Sequence, residues 1–198
     1  MNTRVSLKRS LITNFSRRAI KDAELLISQC FPREIDELED IACYNIGTIE
    51  SRLSNHIDFV SNEITTKYAQ LKPILQNLEA HNSLIRSWVT FISREFQTFK
   101  DAGSLTSEES FSKLQQVADY CKQSLDNLSA YVSQNEKLTE KCKSYEDEVF
   151  YQELEYLNKR HLCRINSMPQ EIREKFLILT SVIFSILAIL RPIQSARN

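Results

Sequence analysis

The chain has 198 residues, a formal net charge of -1, and only two glycines and four prolines. Tight turns and β-hairpins depend on glycine and proline, so this composition excludes a sheet-rich fold and predicts long helices with few connections. With 25 basic against 26 acidic residues, the chain is also a poor match for nucleic acid as its main partner.

The N-terminal 21 residues, MNTRVSLKRSLITNFSRRAIK, are basic and contain no acid. Leu7, Leu11 and Phe15 recur at helical spacing between the basic residues, which predicts an amphipathic cationic helix. Such a helix is typical of a mitochondrial import signal, and also of a basic arm that is disordered or lies on a membrane surface. We therefore expect residues 1–30 to form a basic N-terminal arm or targeting segment.

A long helix is predicted to begin near Phe31-Pro32. From residue 46 its apolar residues recur in steps of three and four with an eleven-residue repeat, which keeps an apolar stripe almost straight. Pro73 falls inside the pattern and predicts a kink. A narrow stripe of this length indicates a seam against partner helices. The predicted partner seam comprises Ile46, Ile49, Leu53, Ile57, Val60, Ile64, Tyr68 and Leu71. Leu125, Leu128 and Val132, on a second long helix that is predicted to run antiparallel to the first, belong to the same seam.

Aromatic residues become frequent in the stretch NSLIRSWVTFISREFQTF. Trp88, Phe91, Phe96 and Phe99 predict either the best-packed part of the soluble region or a docking patch for another protein. Beyond them, Gly103 suits a helix end, and Thr106 with Glu109 has the spacing of a capping box. Residues 31–166 are thus predicted to form a helical hairpin with its bend near 101–106.

The motif INSMPQE predicts the start of a last helix, because Ser167 suits an N-cap and Pro169 suits a first turn. Residues 167–198 would then form a hydrophobic C-terminal helix and tail. No charge occurs from Phe176 to Leu190, and a helix that is apolar on nearly every side needs apolar surroundings. Lipid or the core of a multi-chain bundle would supply them. The predicted membrane anchor comprises Phe176, Leu179, Ile183, Phe184, Leu187 and Leu190.

Motifs of catalysis are lacking in the sequence. The three histidines are scattered, and no metalloprotease, phosphate-loop or nucleophile-elbow motif occurs. The five cysteines include no C-x-x-C pair, which favours reduced thiols in an intracellular protein. We expect no enzymatic activity, no cofactor, no metal and no small-molecule substrate.

Together these patterns predict an all-α, elongated antiparallel helical hairpin or coiled coil with a short hydrophobic C-terminal helix. The favoured function is a membrane-anchored scaffold or tether that binds other helical proteins, as a homo- or hetero-oligomer, at a mitochondrial membrane rather than the endoplasmic reticulum or nuclear envelope. The alternative is a soluble coiled-coil subunit of a kinetochore, spindle or tethering complex in the cytoplasm or nucleus, with the last helix buried between chains.

Overall fold

A computed structural model describes residues 2–43, 57–95, 107–145 and 147–195. Its helices are α1 (Asn2–Leu25), the π-helical turn π1 (Leu26–Cys30), α2 (Phe31–Cys43), α3 (Ile57–Glu95), α4 (Ser107–Tyr145) and α5 (Glu148–Ser195). No strand occurs within those ranges, and the predicted all-α fold is confirmed. The predicted bend at 101–106 lies outside the described residues.

Packing divides the described residues into two compact units. Unit 1 draws on Met1–Glu34, Ala80–Ala118 and Lys175–Asn198, and unit 2 draws on Ile35–Glu79 and Asp119–Glu174. Parts that are distant in sequence therefore form each core, and α3, α4 and α5 each contribute residues to both units.

Unit 1 has a core rich in aromatic side chains. The ring centroids of Phe31 and Phe176 lie 5.1 Å apart, and Phe15 stacks on Phe91 at 3.7 Å. Trp88 is buried on α3. Each such side chain contributes about 1.5–3 kcal/mol when it is fully removed from water, so these contacts join α1, α2, α3 and α5 strongly.

Unit 2 buries the apolar stripe of α3. Val60, Ile64, Tyr68 and Leu71 are all at most 5% exposed, as steps of three and four on one helical face require. On α4, Leu128 is buried as well. The periodicity that was read from the sequence thus marks the side of α3 that faces the core of this unit.

The turn π1 separates α1 from α2. Its hydrogen bond runs from the Phe31 N–H to the Leu26 carbonyl, five residues back. Pro32 follows at once, and a proline ring clashes with the carbonyl four residues earlier, here that of Ser28. A wider turn relieves that clash. Leu26 and Phe31 are both buried although they are five positions apart.

The last two helices meet at a position that the sequence prediction missed. The chain leaves α4 at Tyr145, and the carboxylate of Asp147 accepts a hydrogen bond of 3.0 Å from the Val149 N–H, which caps α5. A helix start at Ser167 was expected, but α5 continues through Ser167 and Pro169. Its buried residues on both sides of the proline, among them Ile165, Met168 and Ile172, hold the helix together despite the lost hydrogen bond.

Candidate protein-binding surface

The outward side of α5 carries large apolar side chains that are more than half exposed. In unit 1 these are Leu177 and Phe184, with 59% and 56% of their surface exposed. Seven residues are close to two helical turns, so both side chains point the same way. We call this pair the outer face of α5. Exposed apolar residues at heptad spacing are the usual means by which one helix binds another.

The inward side of α5 holds most of the predicted anchor. Phe176, Leu179, Ile183, Leu187 and Leu190 are each at most 3% exposed, and of the predicted anchor only Phe184 is exposed. The stretch is long and apolar enough to cross a membrane, with a mean hydropathy of 1.8, but core helices of soluble proteins satisfy the same criterion. Phe31 of α2 supplies part of the apolar surroundings of this helix, because its ring packs against that of Phe176.

The predicted docking patch lies partly in the core of unit 1. Trp88 is buried, and Phe91 is half-buried against Phe15. Phe96 and Phe99 lie outside the described residues. The first two residues therefore help to pack unit 1, and a docking role for the cluster stays a prediction.

The predicted partner seam is also distributed. Ile46, Ile49 and Leu53 lie outside the described residues, as does the side chain of Ile57. Val60, Ile64, Tyr68 and Leu71 are buried with Leu128 in unit 2, while Leu125 and Val132 are half-buried. Contact of these residues with the helices of a partner chain stays a prediction.

A buried polar network in unit 2 was not predicted from the sequence. The Ser61 hydroxyl donates to Asn135 Oδ1 at 2.8 Å, Asn158 Nδ2 donates to Ser61 Oγ at 3.0 Å, and the Tyr131 hydroxyl donates to Asn158 Oδ1 at 3.0 Å. The network joins α3, α4 and α5. Asn135 was the signal for it, since this polar residue interrupts the heptads of α4.

His161 adjoins that network. Its Nδ1 lies 2.8 Å from the Tyr68 hydroxyl, and its ring lies 4.5 Å from that of Tyr131. Burial lowers the pKa of His161, with further lowering by Arg160 and Arg164. Burial also raises the pKa of Tyr68 and of Tyr131 to about 12. Both tyrosines therefore stay protonated at neutral pH, and their hydroxyl groups form hydrogen bonds that link α3 and α4 to α5.

A long-range pair in unit 1 involves a buried acid. Glu34 of α2 is 1% exposed, and its Oε1 lies 3.3 Å from Nε2 of His81 on α3. Phe31 packs its ring edge against the same imidazole at 5.5 Å. This pair fixes α2 on α3. Among the described residues, no group of three or more His, Cys, Asp or Glu side chains is placed to hold a metal ion.

The described residues define an all-helical protein, and the exposed apolar side chains of α5 are candidates for contacts with other proteins. The family model described as "Proteasome activator PA28, C-terminal" matches residues 59–196, well over half of the chain. The chain therefore belongs to this family. No curated protein matches it.

Family membership overturns the membrane interpretation. Proteins of this family are soluble proteins of the cytoplasm or nucleus, so the predicted membrane-anchored scaffold and the mitochondrial localisation are wrong. The error has a physical origin, because the inward side of α5, with Phe176, Leu179 and Ile183, is buried within the chain. The soluble-subunit alternative agrees better with the family, but none of the assemblies named for it is supported. Members of the family regulate rather than catalyse, in agreement with a non-enzymatic protein.

Proposed function

We propose that the chain is a non-enzymatic regulator of the proteasome that acts by binding to it. The observation that carries this proposal is the match of the PA28 C-terminal family over residues 59–196. That range includes nearly all of α3 and the whole of α4 and α5.

We further propose that copies of the chain assemble through the outer face of α5. Leu177 and Phe184 are exposed at a seven-residue interval, and burial of each against a neighbouring helix would contribute about 1.5–3 kcal/mol. The family forms helical oligomers that bind the proteasome, and α5 lies inside the matched range. The same side chains that lack cover in one chain would then form the interface between chains.

The test combines an activity assay with a measurement of assembly. Purified chain is added to proteasome core particles that cleave a fluorogenic peptide, and sedimentation velocity gives the oligomeric state. We expect a saturable increase in the cleavage rate. The variant Leu177→Ser/Phe184→Ser should dissociate the oligomer and lose the stimulation, while circular dichroism stays unchanged because both side chains are exposed.

A matched control is Leu11→Ser/Leu84→Ser, since these leucines of unit 1 are 60% and 39% exposed on other helices. It should assemble and stimulate like the wild type. Stimulation that is absent with the wild-type chain would contradict the proposed function. Equal loss of assembly in both variants would contradict the assignment of the interface to α5.

A further inference from the structure

The turn between α4 and α5, in unit 2, exposes an unusual number of aromatic and apolar side chains. Nine large hydrophobic residues of the described chain are exposed, and four of them fall within this short stretch. Tyr145 and Tyr156 are each 70% exposed, Val149 is 55% exposed and Tyr151 is 40% exposed. We call these four residues the turn patch. Such a concentration is typical of a protein-binding surface, where tyrosine is enriched.

Contacts within the turn hold part of this patch in place. The ring of Tyr145 packs at 5.9 Å from that of Phe150, and the Tyr151 hydroxyl donates to the Cys142 carbonyl at 3.3 Å. The Asp147 carboxylate fixes the backbone at Val149. A surface that is already ordered loses little conformational entropy when a partner binds.

The segment that carries the turn patch is acidic, and the lysines nearest before it in sequence are Lys141 and Lys143. The sequence SYEDEVFYQELEY, residues 144–156, contains five acids and no basic residue. Asp147, Glu148 and Glu153 are exposed among the tyrosines. The turn also shows how its rings accept a cation, because the Lys141 ammonium lies 5.1 Å from the centroid of Phe150. Aromatic rings beside carboxylates form a favourable environment for ammonium and guanidinium groups.

We propose that the turn patch is a docking surface for a lysine- or arginine-rich segment of a partner protein. The carboxylates would attract the segment, and the exposed tyrosine rings would contact its cationic groups and their aliphatic stems. A second copy of the same patch is disfavoured because acids would face acids, and a nucleic acid is disfavoured for the same reason. This surface is distinct from the proteasome binding proposed above and does not depend on it.

Fluorescence anisotropy with a fluorescein-labelled oligolysine or oligoarginine peptide tests the proposal on the full chain. We expect saturable binding that weakens with added salt, and no binding of a labelled oligoglutamate peptide. The variant Tyr145→Ser/Tyr156→Ser should weaken the binding about tenfold, since two exposed cation–π contacts are lost. Glu153→Gln should weaken it by a smaller factor.

Two control variants separate the patch from general effects. Leu11→Ser/Leu84→Ser removes exposed apolar residues elsewhere, and Glu79→Gln removes an exposed charge from α3. Neither should change the affinity for the cationic peptides. The proposal is overturned if neither peptide binds saturably, or if the controls weaken binding as much as the patch variant. It is also overturned if Tyr145→Ser/Tyr156→Ser alters the oligomeric state, because the patch would then be an interface between copies.

Loss of proteasome stimulation is a separate readout. A chain that binds the cationic peptides but does not stimulate the proteasome would refute the proposed function and leave the docking surface intact. A chain that stimulates the proteasome but binds neither peptide would refute the docking surface and leave the proposed function intact.

Discussion

Unit 1 and unit 2 are both helical, but they join their helices by different chemistry. Unit 1 relies on aromatic packing, as between Phe31 and Phe176, whereas unit 2 adds a chain of hydrogen bonds through Ser61, Asn158 and Tyr131. Apolar packing is strong but tolerates several arrangements of similar volume. A hydrogen-bond network requires one register of its helices, since any other strands a buried polar group. In unit 2 the network constrains the register of three helices, whereas in unit 1 the Glu34–His81 pair constrains α2 against α3.

The largest loss of stability is expected from a substitution in the core of unit 1. Phe176→Ala removes a fully buried ring and should lower the free energy of unfolding by about 3–5 kcal/mol, as measured by urea denaturation. The control Leu84→Ala, at an exposed position of the same unit, should change that free energy by less than about 0.5 kcal/mol. Similar losses for both variants would show that α5 does not pack as described.

A smaller effect is expected in unit 2. Asn158→Ala leaves the buried Tyr131 hydroxyl without its acceptor and should cost about 1–3 kcal/mol in the same measurement. Asn166→Ala, an exposed position on the same helix, serves as the control. If both asparagines prove equally dispensable, the polar network does not distinguish unit 2 from unit 1.

The pH dependence of stability sharpens the comparison, since His161 belongs to unit 2. Burial, then Arg160 and Arg164, lower its pKa below the usual 6.5, so the unfolded chain takes up a proton at a higher pH than the folded chain. The stability that the neutral imidazole contributes is present above 6.5 and is lost as the pH falls from 6.5 toward the folded-state pKa.

The check is urea denaturation between about pH 7 and about pH 5 for the wild type and His161→Gln. The wild type should lose more stability on acidification than the variant, because the variant lacks this group. Parallel pH profiles would mean that the environment of His161 does not favour its neutral form.

The smallest effects should be equal in the two units. Arg191 pairs with Glu24 at 3.1 Å in unit 1, and Arg173 pairs with Glu39 at 3.4 Å in unit 2, with all four side chains about half exposed. Exposed ion pairs contribute about 0–1 kcal/mol, so double-mutant cycles should give small coupling energies for both. Addition of salt should reduce them further. A large coupling energy in one unit alone would reveal a difference that the cores do not explain.

Local patterns were sufficient to predict the helices and the buried side of α3. The steps of three and four from Val60 to Leu71 reflect helical geometry, which depends only on neighbours in sequence. The boundary between α4 and α5 was missed because no glycine or proline marks it. Asp147 followed by Glu148 was the available signal, as an acid at the N-cap and another in the first turn.

The surroundings of α5 could not be derived from its own sequence. Lipid would be needed around α5 if residues 1–30 formed a separate arm and the rest of the chain formed a rod of two helices. Yet Ala19, Ala23 and Leu26 are buried in unit 1. A basic amphipathic helix has the same pattern whether its apolar side meets a membrane or another helix, so only tertiary structure distinguishes the two.

The outer face of α5 and the turn patch could not be predicted from the sequence for a related reason. Leu177 and Phe184 belong to the same uninterrupted apolar run as Phe176 and Ile183, and composition alone does not separate the exposed residues from the buried ones. Tyr145 and Tyr156 likewise lie among apolar residues of the sequence, such as Cys142, Val149 and Leu157. Their exposure depends on where α4 ends, which is the boundary that the sequence left unmarked.

The turn π1 has a consequence for comparing this chain with other helices. An α-helix turns about 100° per residue, so Leu26 and Phe31 would point to different sides of a regular helix. The wide turn brings both to the core, and such turns accommodate one additional residue within an α-helix. Any residue-by-residue alignment of the N-terminal helices with a regular helix must therefore admit a one-residue gap there. Without that gap, every equivalence on one side of π1 is displaced by a single position.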